Sequence, residues 1–398
     1  MRNKTSPFDP RLTSGGLLLT VLLCLPVSAS ALDYQLHGFA AQGFVLSNGN
    51  NAFGHSTTGS VALNEFGANI TVDLARGLLF SAQALVRNAG ATDDGRLRLD
   101  YAQLDYQFLN TADYTAGARI GRVKNPFGLF NETRDVVFTR PGILLPQATY
   151  FDGQGFRSLL FASNGAQVYG GVTNGEHYTS LVFGAGLNTQ LSDLEKRQLT
   201  GGTPLPAEVE ISNFHLARLQ DEIDGGLWRF AASYLHATLG FIPDPGSPIS
   251  GSADVDLYLL SVRYNGRNYS LTSEYSLTAS KGNTTFTGPI DSKSDGIYVQ
   301  GDYLLTSQWS VMGRYDLSFA NRNDRDGSMF AAQTGGDRYS QFSRDATVGV
   351  KWQFDEHWGV WGEYHLIDGT ATVSQLDNQG RTLDDHWSMF LMMAAYRF

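Results

Sequence analysis

Residues 119–165 read RIGRVKNPFGLFNETRDVVFTRPGILLPQATYFDGQGFRSLLFASNG. The stretch begins as the end of an alternating strand, with Tyr114, Ala116, Ala118 and Ile120 on one face. At Lys124-Asn125-Pro126 the alternation stops, and about forty residues pass before a strand pattern resumes near Ala166. A connection of that length without regular structure is uncommon in a compact domain and usually carries function. Pro126, Pro141 and Pro146 fix local φ and oppose regular pairing, which suits a loop held in one shape. Phe138, Ile143, Leu144 and Leu145 are its expected packing anchors. What this loop does depends on the scaffold around it.

That scaffold alternates with period two. In 65–74, Phe66, Ala68, Ile70, Val72 and Leu74 alternate with Glu65, Asn69, Thr71 and Asp73. The same dyad recurs in 78–87, in 102–108 and in 297–305. It fits either a soluble antiparallel sheet or a transmembrane barrel with its apolar face to lipid. The polar face favours the barrel, because Glu65, Asp105, Arg119, Arg229, Glu274, Asp302, Arg314, Asp316, Lys351 and Glu363 fall mid-strand. A water-filled lumen accommodates such charges.

The connections alternate strictly between short and long. Short ones fall near 74–77, 109–113, 174–177, 220–226, 265–268, 306–308 and 355–357. Long ones fall near 47–58, 88–96, 124–165, 188–208, 241–252, 280–294, 320–341 and 368–385. Eight long and seven short connections imply a transmembrane antiparallel β-barrel of about 16 strands, with both termini at the short-turn end. Keeping that parity places 156–162 inside the long loop 124–165, which becomes the third outer connection. Aromatics bracket the short turns (Phe108 and Tyr114, Tyr264 and Tyr269, Tyr303 and Trp309, Phe354 and Trp358), as at a membrane interface. Trp309-x-Val311-x-Gly313-x-Tyr315-x-Leu317 is echoed by Trp358-x-Val360-x-Gly362-x-Tyr364-x-Leu366, as in two equivalent strands.

The first 31 residues have the form of a secretory signal. Arg2, Lys4 and Arg11 precede the apolar run 15–25, Pro26 ends it, and Ala29-Ser30-Ala31 supplies a cleavage pattern. The run is too short to span a bilayer, which needs about twenty residues. Cleavage after Ala31 leaves a barrel of 32–398, removes the only cysteine, Cys24, and takes the net charge from −10 to −12. A disulfide framework and thiolate metal sites are thereby excluded. The acidic balance argues against a nucleic-acid partner.

The final strand alternates Phe390, Met392, Ala394, Tyr396 and Phe398. A terminal Phe in this setting resembles the signal read by the barrel-assembly machinery of Gram-negative outer membranes. Gly121-Arg122-Val123-Lys124-Asn125-Pro126-Phe127-Gly128 resembles the G-[RK]-x-K-x-P-F-G stretch of porins related to the phosphate-selective porin O and P family. The resemblance implies a third loop folded into the pore, a homotrimer, and an outer membrane with lipid and lipopolysaccharide around the barrel. It does not extend to the arginine ladder and lysine cluster of those porins, so phosphate selectivity does not follow.

In a pore, charges at the narrowest point set ion preference. The loop offers Lys124, Arg134, Arg140 and Arg157 against Glu132, Asp135 and Asp152, a net +1. These residues either face the pore or pair to pin the loop to the wall, and the two roles are compatible. Arg87, Arg119, Arg229, Arg263, Arg314 and Lys351 share the polar phase and are candidate pore-wall cations, with Asp105, Asp302 and Glu363 as candidate wall acids. An enzyme is not expected: His215, His236 and His365 fall on separate strands, and no G-x-S-x-G nucleophile motif occurs. No cofactor or metal is called for. In 320–341, Asp324, Asp326 and Asp337 fit either a divalent-cation or lipopolysaccharide contact or a solvated loop. The expected function is passive diffusion of small hydrophilic solutes or ions, with anion preference as a narrower version. The alternative is a barrel used as an anchor or adhesin through its outer loops.

Overall fold

A computed structural model describes residues 33–151 and 160–398; the leader, Asp152 and Arg157 lie outside the described residues. Sixteen long strands follow one another around a single sheet. They are β1 Asp33–Asn48, β2 Leu63–Ala75, β3 Leu78–Ala89, β4 Asp94–Asn110, β5 Tyr114–Lys124, β6 Ala162–Asn174, β7 His177–Gly186 and β8 Ala207–Ile223. The second half comprises β9 Trp228–Pro243, β10 Gly251–Asn265, β11 Tyr269–Thr284, β12 Gly288–Leu304, β13 Trp309–Phe319, β14 Phe342–Gln353, β15 Trp358–Gly369 and β16 His386–Arg397. A two-residue piece, Thr189–Gln190, extends the β7 side of β8. Each strand pairs antiparallel with its neighbours, and β1 pairs with both β2 and β16, so the barrel closes without an edge. Phe398 completes the seam by exchanging backbone hydrogen bonds with Gly38.

The parity of connections holds, but several lengths differ from expectation. β11 and β12 stay paired up to Thr284 and Gly288, so most of 280–294 is a hairpin. Likewise 88–96 and 241–252 are largely strand, with connections of 90–93 and 244–250 only. The cause is physical. Alternation in sequence reports an apolar face on one side of the strand, and it fades where both faces are polar. Pairing continues there because it satisfies the backbone donors and acceptors.

The outward face is an apolar band. Leu97, Ile120, Val168, Leu260, Val299 and Val348 all point out and are more than half exposed. Apolar exposure on this scale marks a surface that meets another phase. At the short-turn rim the aromatics form a ribbon: Trp309 stacks on Trp352 at 5.3 Å, and contacts continue through Phe354, Trp358 and Tyr396 to Phe398. Trp228, Tyr264 and Tyr269 form a second such run. The paired Trp motifs begin β13 and β15, the two neighbours of β14, as the echo implied.

The inward face is less polar than expected. In β16, Phe390 and Met392 point out while Met389, Leu391, Met393 and Ala395 are buried inside. In β8 to β10, Leu216, Leu235, Ala237, Leu239 and Leu259 are also buried on the inside. A strand apolar on both faces needs a second apolar partner within the barrel. That partner is the third outer connection.

Candidate functional site

Residues 125–151 cross the lumen, because their hydrogen bonds end on inward side chains of eight strands. The loop starts at the G-R-x-K-x-P-F-G stretch, where each residue has a geometric task. Gly121 has φ +122°, and a Cβ there would lie 2.4 Å from the Ala102 carbonyl oxygen. Lys124 donates to the Glu132 carbonyl at 2.9 Å and to the Asp135 carboxylate at 3.4 Å. Buried Asn125 accepts from Ser163 at 2.9 Å, and its amide donates to the Phe161 carbonyl at 2.8 Å, closing the neck of the loop. Phe127 packs against Leu235, Leu259, Phe214 and Leu216. Gly128 has φ +65°, and a Cβ there would lie 2.4 Å from the Tyr150 hydroxyl and 2.8 Å from Glu274 Oε1. Only glycine fits.

Glu274 of β11 is the loop's main anchor. Its buried carboxylate accepts from Ser261 at 2.6 Å, Tyr298 at 2.6 Å, Tyr150 at 2.7 Å and the Leu129 amide at 3.0 Å. A buried carboxylate is tolerated when its lone pairs are satisfied in this way. Burial, reinforced by the Glu274 charge, holds the Tyr150 phenol well above its ordinary range. The phenol therefore remains a donor to Glu274 while accepting from the Leu129 and Phe130 amides.

The remaining anchors follow around the barrel. Glu65 of β2 receives Arg87 at 3.0 Å and also binds Arg140 of the loop. Asp135 accepts from Gln83 of β3. Glu363 of β15 accepts the Ile143 amide at 2.5 Å and the Leu144 amide at 3.4 Å. Arg314 donates to the Leu144 carbonyl at 3.0 Å, and Asp316 accepts the Ala148 amide at 3.0 Å. Arg134 donates to the Tyr150 carbonyl at 2.9 Å. Arg218 of β8 donates to Glu132 at 2.7 Å, and Ser233 accepts the Gly128 amide at 3.0 Å. Between these polar ties, Val137, Phe138, Ile143 and Leu144 pack on Trp361, Leu391 and Met393, and Leu145 packs with Phe130, Tyr150 and Tyr298.

The sequence candidates thus divide into two groups. Arg87, Arg134, Asp135, Arg140, Arg314 and Glu363 are buried at the level of the loop, and Lys124 and Glu132 are tied beside them. Nearer the short-turn rim, Arg119 pairs with Asp105 at 2.9 Å and Arg229 with Glu222 at 3.1 Å, all still partly exposed. Asp302 accepts from Ser270 and Gln300. Arg263 lies over Phe130 and Lys351 over Trp361, neither with a carboxylate in ion-pair distance among the described residues.

Sequence reasoning did not assign Tyr150, Gln83, Ser233 or Tyr298 a role. Glu65 and Glu274 were visible as mid-strand acids, but nothing in one strand says that a loop will cover them. His215 and His236 stack on the outer surface, whereas His365 lies inside between Asp345 at 2.8 Å and Glu363 at 3.3 Å. Asp324, Asp326 and Asp337 each accept amides of their own loop, and no metal-ligating cluster occurs among the described residues.

No protein-family model matches the chain, and no curated protein matches it in sequence. Solved structures match over nearly its whole length. The outer membrane channel DcaP of Acinetobacter baumannii aligns at 15% identity and TM-score 0.57, covering 93% of this chain and 99% of its own. An anion-selective porin from Comamonas acidovorans aligns at 14% identity and TM-score 0.54, covering 92% and 100%. OmpT of Vibrio cholerae in its trimer form aligns at 12% identity and TM-score 0.56, covering 93% and 100%. The fold is that of the outer-membrane porins. None of these three is described as phosphate-selective, and the stretch that resembles the phosphate porins serves here to shape the loop.

Proposed function

We propose that this chain is a porin of a Gram-negative outer membrane: a passive, water-filled channel for small hydrophilic solutes or ions, narrowed by its third loop. The observation that carries this reading is the pairing of a closed barrel, apolar outside, with a loop held across its lumen by satisfied polar contacts. A soluble barrel has no use for an outward apolar band, and an inert anchor has no use for a shaped internal loop. Residues 1–31 act as the export leader, and Phe398 at the barrel seam serves recognition by the assembly machinery.

The outward faces of β1 to β5 carry Gly38, Ala40, Ala68, Ala82, Ala84, Ala102, Ala116 and Ala118. The Trp and Tyr ribbons lie on the other strands. These small residues sit between exposed Tyr34, Phe66, Leu97, Tyr106 and Ile120 and leave room for close approach of sister subunits, which suits a homotrimer surrounded by lipid and lipopolysaccharide. Among the described residues Arg263 and Lys351 have no carboxylate within ion-pair distance, which supports a modest anion preference.

Planar-bilayer recording of the purified protein in a salt gradient tests both parts. Discrete current steps are expected, with a reversal potential displaced toward anions. Absence of steps sinks the channel and leaves the anchor reading; a cation-directed potential sinks the anion preference alone.

A further inference from the structure

Above the loop, on the long-connection side, lies a cavity of about 350 Å³. Its floor is Phe127, Phe151 and the Gln147–Thr149 segment of the loop. One wall is aliphatic, formed by Leu235, Ala237, Leu239, Val255 and Leu257 from β9 and β10. The facing wall carries Ser276, Thr278, Ser294 and Ser318. Ser276 is occupied with the Ala148 carbonyl at 2.8 Å. Thr278, Ser294 and Ser318 make no side-chain hydrogen bond among the described residues and are only half buried. Among the described lining residues Asp295 is the one carboxylate or basic group, and it is paired with Arg325.

We propose that this vestibule is a binding subsite for an uncharged amphipathic solute, with an apolar ring or short chain on the β9–β10 wall and hydroxyl groups on Thr278, Ser294 and Ser318. Volume and lining are those of a small-molecule pocket, mostly apolar with a few placed polar groups. An ion or a fully polar solute gains nothing from five aliphatic side chains, and a wholly apolar one leaves three hydroxyls unused. The subsite names the solute class of the proposed channel and rests on that reading.

The test uses phenyl β-D-glucoside against glucose, two water-soluble probes that differ by an apolar ring. Added to the long-loop side in bilayer recordings, phenyl glucoside should interrupt the current at concentrations where glucose does not. Leu257→Asn should raise its half-blocking concentration about tenfold, read against that variant's own current in salt. Thr278→Val, nearly isosteric, should raise it severalfold and guards against a folding defect in the first variant. Equal behaviour of the two probes, or block unchanged in both variants, overturns the subsite while leaving the channel intact. If the protein passes no current, the channel reading fails, and equilibrium dialysis of labelled phenyl glucoside against protein in lipid nanodiscs decides the subsite. Binding weakened in Leu257→Asn keeps it, and no binding overturns it.

Discussion

The lumen at the height of the third loop and the lumen below it use the same residue types in the same strand phase, yet they do different work. At the loop, Glu65 is sealed between Arg87 and Arg140, and Glu274 between three hydroxyls and an amide. Below it, Asp105 and Arg119 form a similar pair but remain partly exposed, and Asp302 rests on a serine and a glutamine. Burial makes the difference. A buried ion pair that loses one partner strands the other charge in a poor solvent. A pair open to water loses little, but its field reaches passing ions. The upper set therefore holds the loop, and in the proposed channel the lower set is placed to act on what permeates.

The sharpest way to break this contrast is to remove an acid from each level. Glu65→Ala takes from buried Arg140 and Arg87 the carboxylate they share, although Arg87 keeps Asp93 at 3.4 Å, and should cost about 3 kcal/mol. Asp105→Ala should cost under about 1 kcal/mol. Thermal unfolding of both variants in detergent measures the gap, and equal losses would mean that the loop does not seal Glu65. Gly128→Ala comes next. Its methyl group collides with Tyr150 and Glu274 at a positive φ, and the expected cost is about 1–3 kcal/mol. Protease sensitivity within 125–151 should rise with it, and an unchanged cleavage rate would show that the loop tolerates a shifted neck.

A smaller effect is expected from the lower set. Lys351→Glu or Arg263→Glu reverses a charge that has no carboxylate within ion-pair distance among the described residues. At about 8 Å in water this changes the energy of an anion and of a cation by about 1 kcal/mol each in opposite directions, or about fivefold in the local concentration of either. The shift should shrink at 1 M salt, where the Debye length is about 3 Å. Arg140→Glu, by contrast, should act on stability and not on reversal potential.

The smallest effect concerns the outer loops, away from both levels. Burial holds the Asp377 carboxyl above the ordinary carboxylate range, although it accepts from the Ala91 amide at 2.8 Å and the Gly54 amide at 3.1 Å. A pKa raised on folding favours the protonated form. Its contribution is full below the unfolded value and is lost as pH rises through the folded one. The clasp between these loops should therefore be firmest below about pH 4, the unfolded carboxyl value, and loosen as pH rises. Asp377→Asn keeps an acceptor without the charge and should flatten that part of the melting-temperature profile; a profile identical to wild type would exclude Asp377 as its source.

The barrel was legible because an apolar outward face gives its strands a period of two, and connections that alternate in length betray which end of a strand they leave. That signal failed for the upper parts of β11 and β12, where water bathes both faces and pairing leaves no apolar trace. It also gave only half of β16: Phe390 and Met392 read as a lipid face, while Met389, Leu391 and Met393 answer to the loop.

The chain by itself determined the closed barrel, its strand count, the position of the third loop and the side chains that share the inner phase. These follow from local periodicity and turn spacing, which any one segment displays. Tertiary structure alone decided that Glu65 and Glu274 are buried anchors, that Arg140 is spent on Glu65, and that Asp302 and Lys351 stay open. It also decided that the upper lumen has an aliphatic wall facing free hydroxyls. Those outcomes depend on which strand the loop meets as it crosses, and contacts between residues 75 to 220 positions apart leave no mark on the sequence around either one.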